Sequence, residues 1–290
     1  MSAQTQSTKY SEDFAVSLPP VDQFVSLPSG LKVHFYDRGS GTPVVFLHGA
    51  GPGAGAWANF SQNFPAFEQA GVRCVGLDMP GFGHSDKPES LQYNDDTFDQ
   101  TLIEFFDAIG LDRAILLGNS LGGAISLRFA LDHPERVLGL ILMAPGGVED
   151  RETYFQMTGV QTMVQTFQSG PMDLDAMRKV MSLQMFNPSR IPEGLLEQRV
   201  EVAKLQPSTL FSTMRVANMT PRLEEIQCPV LGFWGVNDQF NPHTGSLKIT
   251  QACPRSRFVL LSQCGHWVML EHQEVFEREC LQFVNDVRVK

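Results

Sequence analysis

Uninterrupted apolar runs alternate with segments of helical periodicity along most of the chain. The apolar runs at residues 44–47, 114–117, 137–143 and 229–234 are typical of strands buried on both faces of a parallel sheet, and further strands are predicted at residues 73–77 and 256–261. Apolar residues recur at helical spacing at residues 57–67, 97–109, 121–131, 246–251 and 273–287. This alternation predicts an α/β fold with a doubly wound, mostly parallel sheet. An antiparallel hairpin over residues 23–37, turning at Pro28-Ser29-Gly30, is predicted to open the sheet.

The alternation stops between about residues 144 and 221. Strand-like runs are absent there, and helix-like segments rich in methionine take their place. We therefore predict an inserted helical cap at residues 146–221, a core made of residues 21–145 and 222–290, and a flexible tail at residues 1–20. The methionines could either pack this cap or line an adaptable apolar pocket.

Charge and cysteine content narrow the possible partners and compartment. The net charge of −10 argues against nucleic acid or an anionic membrane as a partner, because both require a basic face. Five scattered cysteines without a Cys-x-x-Cys pair indicate a reduced, cytoplasmic protein rather than a zinc site. Residues 1–14 lack the apolar core of a signal peptide, and no apolar run approaches the roughly 18 residues of a membrane span.

The strongest candidate for chemistry is Ser120, at the centre of Gly118-Asn119-Ser120-Leu121-Gly122. An apolar strand precedes this Gly-x-Ser-x-Gly motif and a helix rich in small residues follows it. Such a strand–turn–helix is a nucleophile elbow, which presents the serine Oγ above the sheet in a strained conformation. The alternative is an ordinary glycine-rich turn with a chance serine.

A second glycine-rich segment follows the apolar run at residues 44–47. The loop from His48 to Gly53 leaves backbone N–H groups free at the end of a strand. Together with the N–H of Leu121, just after the nucleophile, these donors would form an oxyanion hole for acyl transfer. A flexible loop without a chemical role is the alternative.

A nucleophilic serine needs a base, and that base needs an orienting acid. Asp238 and His266 follow predicted strands in the chain order Ser, acid, His, at the sheet edge where ligands bind. Other histidines are weaker candidates because the triad needs a loop after a strand in the right chain order; they are His34, His133, His243 and His272, with His48 assigned to the oxyanion loop and His84 to the loop of residues 78–86. The loop of residues 78–86 is interpreted as structural rather than as a metal site, and Cys264 as a buried bystander.

These residues together resemble a known family. From about Gln23 the chain resembles the α/β-hydrolase fold, and three stretches resemble the meta-cleavage product hydrolases: residues 48–59 (HGAGPGAGAWAN), 118–123 (GNSLGG) and 264–267 (CGHW). Members of that family hydrolyse a carbon–carbon bond in 2-hydroxy-6-oxo-hexa-2,4-dienoates, the products of extradiol catechol cleavage. The resemblance implies the triad Ser120, Asp238 and His266, with oxyanion donors at Ala50 or Gly51 and at Leu121.

The resemblance also implies residues that hold the substrate. Asn59 and Asn119 would orient the dienoate, Trp267 would pack beside the site, and Arg199 would meet the substrate carboxylate. A guanidinium matches a carboxylate bidentately, although Arg199 could instead be an ordinary solvated arginine of a helix. The family implies a small-molecule substrate, a homo-oligomer, and neither a metal nor an organic cofactor.

Two departures from the family pattern keep other functions open. Ala50 replaces a usual loop glycine, and the segment after His266 lacks the second tryptophan of many members, which affects the pocket for the substrate's C6 group. A carboxylesterase would use the same triad and oxyanion hole. A non-catalytic ligand receptor built on this fold is a further alternative.

Overall fold

The computed structural model describes residues 23–192 and 194–288, so the predicted tail at residues 1–20 lies outside the described residues. One sheet of eight strands runs through the described part of the chain. Its strands are β1 (Gln23–Ser26), β2 (Lys32–Arg38), β3 (Thr42–Leu47), β4 (Val72–Leu77), β5 (Ala114–Asn119), β6 (Val137–Met143), β7 (Val230–Gly235) and β8 (Ser256–Leu261).

The strand order is β1-β2-β4-β3-β5-β6-β7-β8. The β1–β2 and β2–β4 pairs are antiparallel, and all later pairs, from β4–β3 to β7–β8, are parallel. The predicted mostly parallel sheet with an opening hairpin is therefore confirmed. Parallel strands end at one edge of the sheet, so the loops after β3, β5, β7 and β8 lie together there.

Both faces of the central strands are buried, as the uninterrupted apolar runs predict. In β3, Val45 and Leu47 belong to the apolar cluster on one side of the sheet, whereas Val44 and Phe46 belong to the cluster on the other side. Successive side chains of a strand point to opposite faces, so such a strand needs a packed layer on each side. The helices supply those layers.

The α-helices cover the sheet and form much of the segment between β6 and β7. They are α1 (Ala56–Phe60), α2 (Phe64–Gln69), α3 (Asp95–Ala108), α4 (Leu121–Asp132), α5 (Arg151–Gln156), α6 (Thr158–Ser169), α7 (Leu174–Ser182), α8 (Leu195–Ala203), α9 (Thr209–Thr213), α10 (Gly245–Ala252), α11 (Val268–Glu271) and α12 (Gln273–Arg288). No helix in the described ranges is long and apolar enough to cross a membrane.

The expectation of one helix over residues 57–67 is wrong, because α1 ends at Phe60 and α2 begins at Phe64. Pro65 occupies the first turn of α2, where its missing N–H costs nothing. Inside a longer helix the same ring would clash with the preceding turn and remove a hydrogen bond. The aromatic side chains of Phe60, Phe64 and Phe67 still pack together against Phe46.

Helices α5 to α9 fill the interval between β6 and β7, in agreement with an inserted helical segment. Met177, Met181 and Met185 are buried in the apolar cluster that also contains Trp267. Met163, on α6, instead lines the cavity described below. Most of these cap methionines therefore pack rather than line the cavity, and the boundaries 146–221 stay a prediction.

Candidate active site

Ser120 stands in a strained turn between β5 and α4. Its backbone has φ 54° and ψ −111°, a conformation that a residue with a side chain adopts only under constraint. A Cβ on Gly118 would lie 2.3 Å from the carbonyl oxygen of Gly122, and a Cβ on Gly122 would lie 2.0 Å from that of Leu47. The flanking glycines are therefore required for the strand and the helix to approach this closely.

His266 and Asp238 form a buried pair behind this turn. The His266 Nδ1 lies 2.6 Å from Asp238 Oδ2, and the other carboxylate oxygen of Asp238 accepts N–H groups from Phe240 and Asn241 at 2.7 and 3.0 Å. The carboxylate is thus fixed by its own loop after β7 while it orients the imidazole. This is the arrangement that holds a catalytic histidine in one tautomer with Nε2 free to act as a base.

Ser120 and His266 both line one cavity of about 110 Å³. The lining residues are Gly49, Ala50, Gly51, Ala54, Asn59, Asn119, Ser120, Val160, Met163, Gln184, Arg199, Phe240, Asn241, His266 and Trp267. Within the described residues the Ser120 hydroxyl makes no hydrogen bond to the imidazole. Such contacts are often long before substrate binds and shorten in the complex.

The glycine-rich loop after β3 runs from the nucleophile to the arginine. A Cβ on Gly49 would lie 3.3 Å from the Cβ of Ser120, and a Cβ on Gly51 would lie 2.8 Å from Nη2 of Arg199. Ala50 and Gly51 line the cavity between these ends. Leu121 does not line it, but its N–H is in the first turn of α4, where helix N–H groups have no acceptor inside the helix.

His48 holds this loop in place rather than serving as a base. Its Nδ1 donates to the Gly49 carbonyl at 2.8 Å, and its Nε2 accepts the N–H of Met79 at 3.1 Å. This assignment uses both ring nitrogens of the neutral form. Burial lowers the pKa of His48, which favours that neutral form.

The loop of residues 78–86 is organised around Asp78, as a structural loop would be. Its carboxylate accepts hydrogen bonds from the N–H groups of Ala56 and His84 and lies 2.8 Å from Nδ1 of His34. Burial raises the pKa of Asp78, but the bonds and charge of His34 outweigh it and lower the pKa to about 2. Among the described residues, no group of three or more His, Cys, Asp or Glu is arranged to hold a metal ion.

Arg199 is buried in the cavity wall, not solvated. Its side chain is 2% exposed, its Nε donates to the Pro52 carbonyl at 3.0 Å, and its guanidinium lies 5.5 Å from the ring centroid of Trp267. Within the described ranges, no carboxylate forms an ion pair with it. Burial without an anion lowers the pKa of Arg199 to about 9. The guanidinium of Arg199 therefore lies in the cavity wall without a carboxylate partner among the described residues.

Two buried asparagines connect Arg199 to the elbow. Arg199 Nη1 lies 3.4 Å from Asn59 Oδ1, and Asn59 Nδ2 lies 3.4 Å from Asn119 Oδ1. Asn119 immediately precedes the nucleophile. The two amides and the guanidinium thus form a polar wall that extends along the cavity from Ser120.

Sequence reasoning missed several lining residues: Ala54, Val160, Gln184, Phe240 and Asn241. Phe240 and Asn241 could have been found, because they follow the predicted acid Asp238 within the same loop. Gln184 carries no local signal, since only the folding of the cap segment brings it beside His266. Cys264 is fully buried, and burial raises the pKa of its thiol far above the usual value, as expected for a bystander.

Comparison with known proteins identifies the family of the chain. The sequence profile of the α/β hydrolase fold matches residues 42–170 and 186–273. A 2-hydroxy-6-oxononadienedioate/2-hydroxy-6-oxononatrienedioate hydrolase of Comamonas testosteroni is 33% identical, and a 2-hydroxy-6-oxo-6-phenylhexa-2,4-dienoate hydrolase of Burkholderia cepacia is 34% identical. Each alignment covers 88% of this chain and 92% of the relative.

A solved structure supports the same assignment. The meta-cleavage product hydrolase CumD from Pseudomonas fluorescens IP01 superposes with a TM-score of 0.80 at 26% identity, over 91% of this chain and 97% of that one. The shared fold, the strand order and the relatives at 33–34% identity point to one assignment. The chain therefore belongs to the α/β-hydrolase family and, within it, to the meta-cleavage product hydrolases.

Proposed function

We propose that this protein hydrolyses the carbon–carbon bond of 2-hydroxy-6-oxo-hexa-2,4-dienoates through a triad of Ser120, His266 and Asp238. The observation that carries the proposal is Arg199, a buried cation in the cavity that contains Ser120, with no anionic partner among the described residues. A ring-fission product has a carboxylate at one end and a ketone at C6. The carboxylate would pair with Arg199 while the ketone meets the nucleophile.

The reaction would proceed in two stages. His266, oriented by Asp238, helps to move a proton from the 2-hydroxyl group to C5, which converts the dienol to its keto form. Ser120, or a water that it activates, then attacks the C6 carbonyl, and the C5–C6 bond breaks with its electron pair passing into the dienolate. Water supplies OH to the acyl carbon and a proton to the departing fragment. The products are 2-hydroxypenta-2,4-dienoate and a carboxylic acid.

Backbone donors and side chains around the triad would stabilise this reaction. The negative charge on the C6 oxygen would be met by the N–H of Leu121 and by an N–H of Ala50 or Gly51, which is the largest usual contribution to acyl transfer. Asn59 and Asn119 would orient the dienoate between Ser120 and Arg199. Trp267 would pack beside it. Helices α5–α9, within residues 146–221, would act as the cap over the cavity.

We further propose that the protein acts in the cytoplasm as a homo-oligomer. All five cysteines are free, which suits a reducing compartment. Strand β8 is at the edge of the sheet, and an edge strand presents unpaired backbone N–H and C=O groups with which another chain can pair. Light scattering on the purified protein would measure the mass of the assembly and contradict this part if it gave a monomer.

The experiment that tests the function compares two substrates in one variant. Arg199→Gln should lose about 10²-fold or more in kcat/KM on a dienoate, because it deletes a charge-assisted pair in a dry site. A neutral aryl ester has no carboxylate, so its kcat/KM should change little. The ratio of the two values is the measurement.

Arg178→Gln is the matched control, because Arg178 is exposed on cap helix α7 and should leave both values unchanged. Equal losses on both substrates in Arg199→Gln would make Arg199 a support of the cap. No loss on either substrate would show that Arg199 does not contribute to substrate binding. Each of these outcomes would favour a carboxylesterase over a carbon–carbon hydrolase.

A further inference from the structure

Gln184 presents an unpaired amide to the cavity. Its side chain is only 6% exposed, and its Oε1 is buried without a hydrogen-bond partner among the described residues. It lies in the cap segment after α7 and lines the same cavity as Ser120 and Arg199. A buried amide oxygen without a partner is costly, and in a binding site this cost is relieved by a ligand that supplies the missing hydrogen.

Hydrogen bonds fix the backbone of Gln184 and of the residues that follow it. The Gln184 carbonyl accepts the N–H groups of His266 and Trp267 at 2.7 and 3.2 Å. The carboxylate of Glu271 accepts the N–H groups of Phe186 and Asn187, just beyond, at 3.0 and 2.8 Å. The backbone at Gln184 is therefore held against the loop that contains His266.

The other lining residues restrict what this amide can recognise. Arg199 is the only Lys or Arg among the residues that line the cavity, and the proposed function assigns it to the dienoate carboxylate. A second carboxylate, on the C6 group, would find no cation there. A purely apolar C6 group would suit Val160, Met163 and Phe240 but would leave Gln184 unpaired.

We infer that Gln184 is a specificity-determining residue that selects dienoates whose C6 substituent carries an uncharged hydroxyl group. This inference rests on the proposed carbon–carbon hydrolysis and names its substrate class. The hydroxyl would hydrogen-bond to the Gln184 amide, while the rest of the substituent packs on the apolar lining. A site built to bond a hydroxyl discriminates strongly against the analogue without it.

The test uses three ring-fission products that differ only in the C6 group: phenyl, hydroxyphenyl (each ring isomer) and carboxyphenyl. Wild type should prefer the best hydroxyphenyl isomer over phenyl by about tenfold or more in kcat/KM, and should turn over the carboxyphenyl compounds least. Gln184→Leu, similar in size, should remove the preference for hydroxyphenyl and gain activity on phenyl. A merely structural role would not move this ratio.

Gln198→Leu is the control, since Gln198 on α8 also has a buried, unpaired Oε1 but does not line this cavity. It should keep the wild-type ratio. A wild type that prefers phenyl or carboxyphenyl, or a Gln184→Leu variant that retains the hydroxyphenyl preference, would overturn the inference alone. Failure of wild type on every dienoate, with ester hydrolysis retained, would instead overturn the proposed function.

Discussion

Arg199→Met should make the folded protein more stable while it removes activity on dienoates. Methionine keeps much of the side-chain length and apolar contact but carries no charge. Because the guanidinium is buried without an anion among the described residues, folding removes it from water without a compensating ion pair. The variant removes that penalty together with the anchor for the substrate.

The size of the effect follows from the pKa of Arg199. Burial lowers the pKa of Arg199 from its ordinary value to about 9. A change of this size corresponds to roughly 5 kcal/mol that disfavours the folded state with the side chain charged. The hydrogen bond to the Pro52 carbonyl and the contact with Trp267 offset it by about 1 kcal/mol each. We therefore expect Arg199→Met to raise the free energy of unfolding by about 1–3 kcal/mol.

The pH dependence has a defined sign. Since the folded pKa lies below that of the unfolded chain, the penalty is fully present below pH 9 and decreases as the pH rises through and above that value. The advantage of Arg199→Met over wild type should thus be constant near neutral pH and shrink in alkali. This trend separates a charge effect from a packing effect.

Urea unfolding at pH 7 and pH 9.5 measures these differences, with kcat/KM on a dienoate measured in parallel. Arg178→Met, at an exposed position of α7, is the control and should leave the free energy of unfolding nearly unchanged. A saturating concentration of 2-hydroxypenta-2,4-dienoate should stabilise wild type but not Arg199→Met. If the free energy of unfolding of Arg199→Met is lower than that of wild type by more than about 1 kcal/mol, the reasoning is refuted.

Three further variants test the site and its support. Ser120→Ala should lower kcat by about 10⁴-fold or more with an unchanged melting temperature, and retention of a tenth of wild-type activity would contradict the elbow assignment. Asp238→Asn should lower kcat by about 10³-fold or more at an unchanged melting temperature, because His266 loses its orienting anion; near-normal kinetics would disprove the triad. Glu271→Gln should cost about 1–3 kcal/mol in urea unfolding and reduce kcat, because the carboxylate accepts N–H groups from Gly265 as well as from Phe186 and Asn187. Unchanged stability and kcat would show that these bonds do not hold the cap to the His266 loop.

Local sequence determined the parts of this protein that depend on neighbouring residues. The apolar runs predicted the central strands, because a strand buried on both faces requires apolar side chains at successive positions. The elbow around Ser120 could likewise be predicted from local sequence, since only glycines at 118 and 122 permit the observed approach of strand and helix. The break between α1 and α2 also has a local cause, because Pro65 lies in the first turn of α2. The helical spacing of the aromatic residues nevertheless predicted one continuous helix.

Tertiary structure alone decided what meets in the cavity. The sequence of α8 left Arg199 equally compatible with solvent and with a binding site, and the fold buries it against the loop that contains Gly51. Gln184 carries no motif, and it reaches the cavity because its carbonyl binds the N–H groups of His266 and Trp267, more than 80 residues later. Helical periodicity describes one element at a time, whereas burial and hydrogen-bond pairing depend on the elements packed against it, which no local pattern contains.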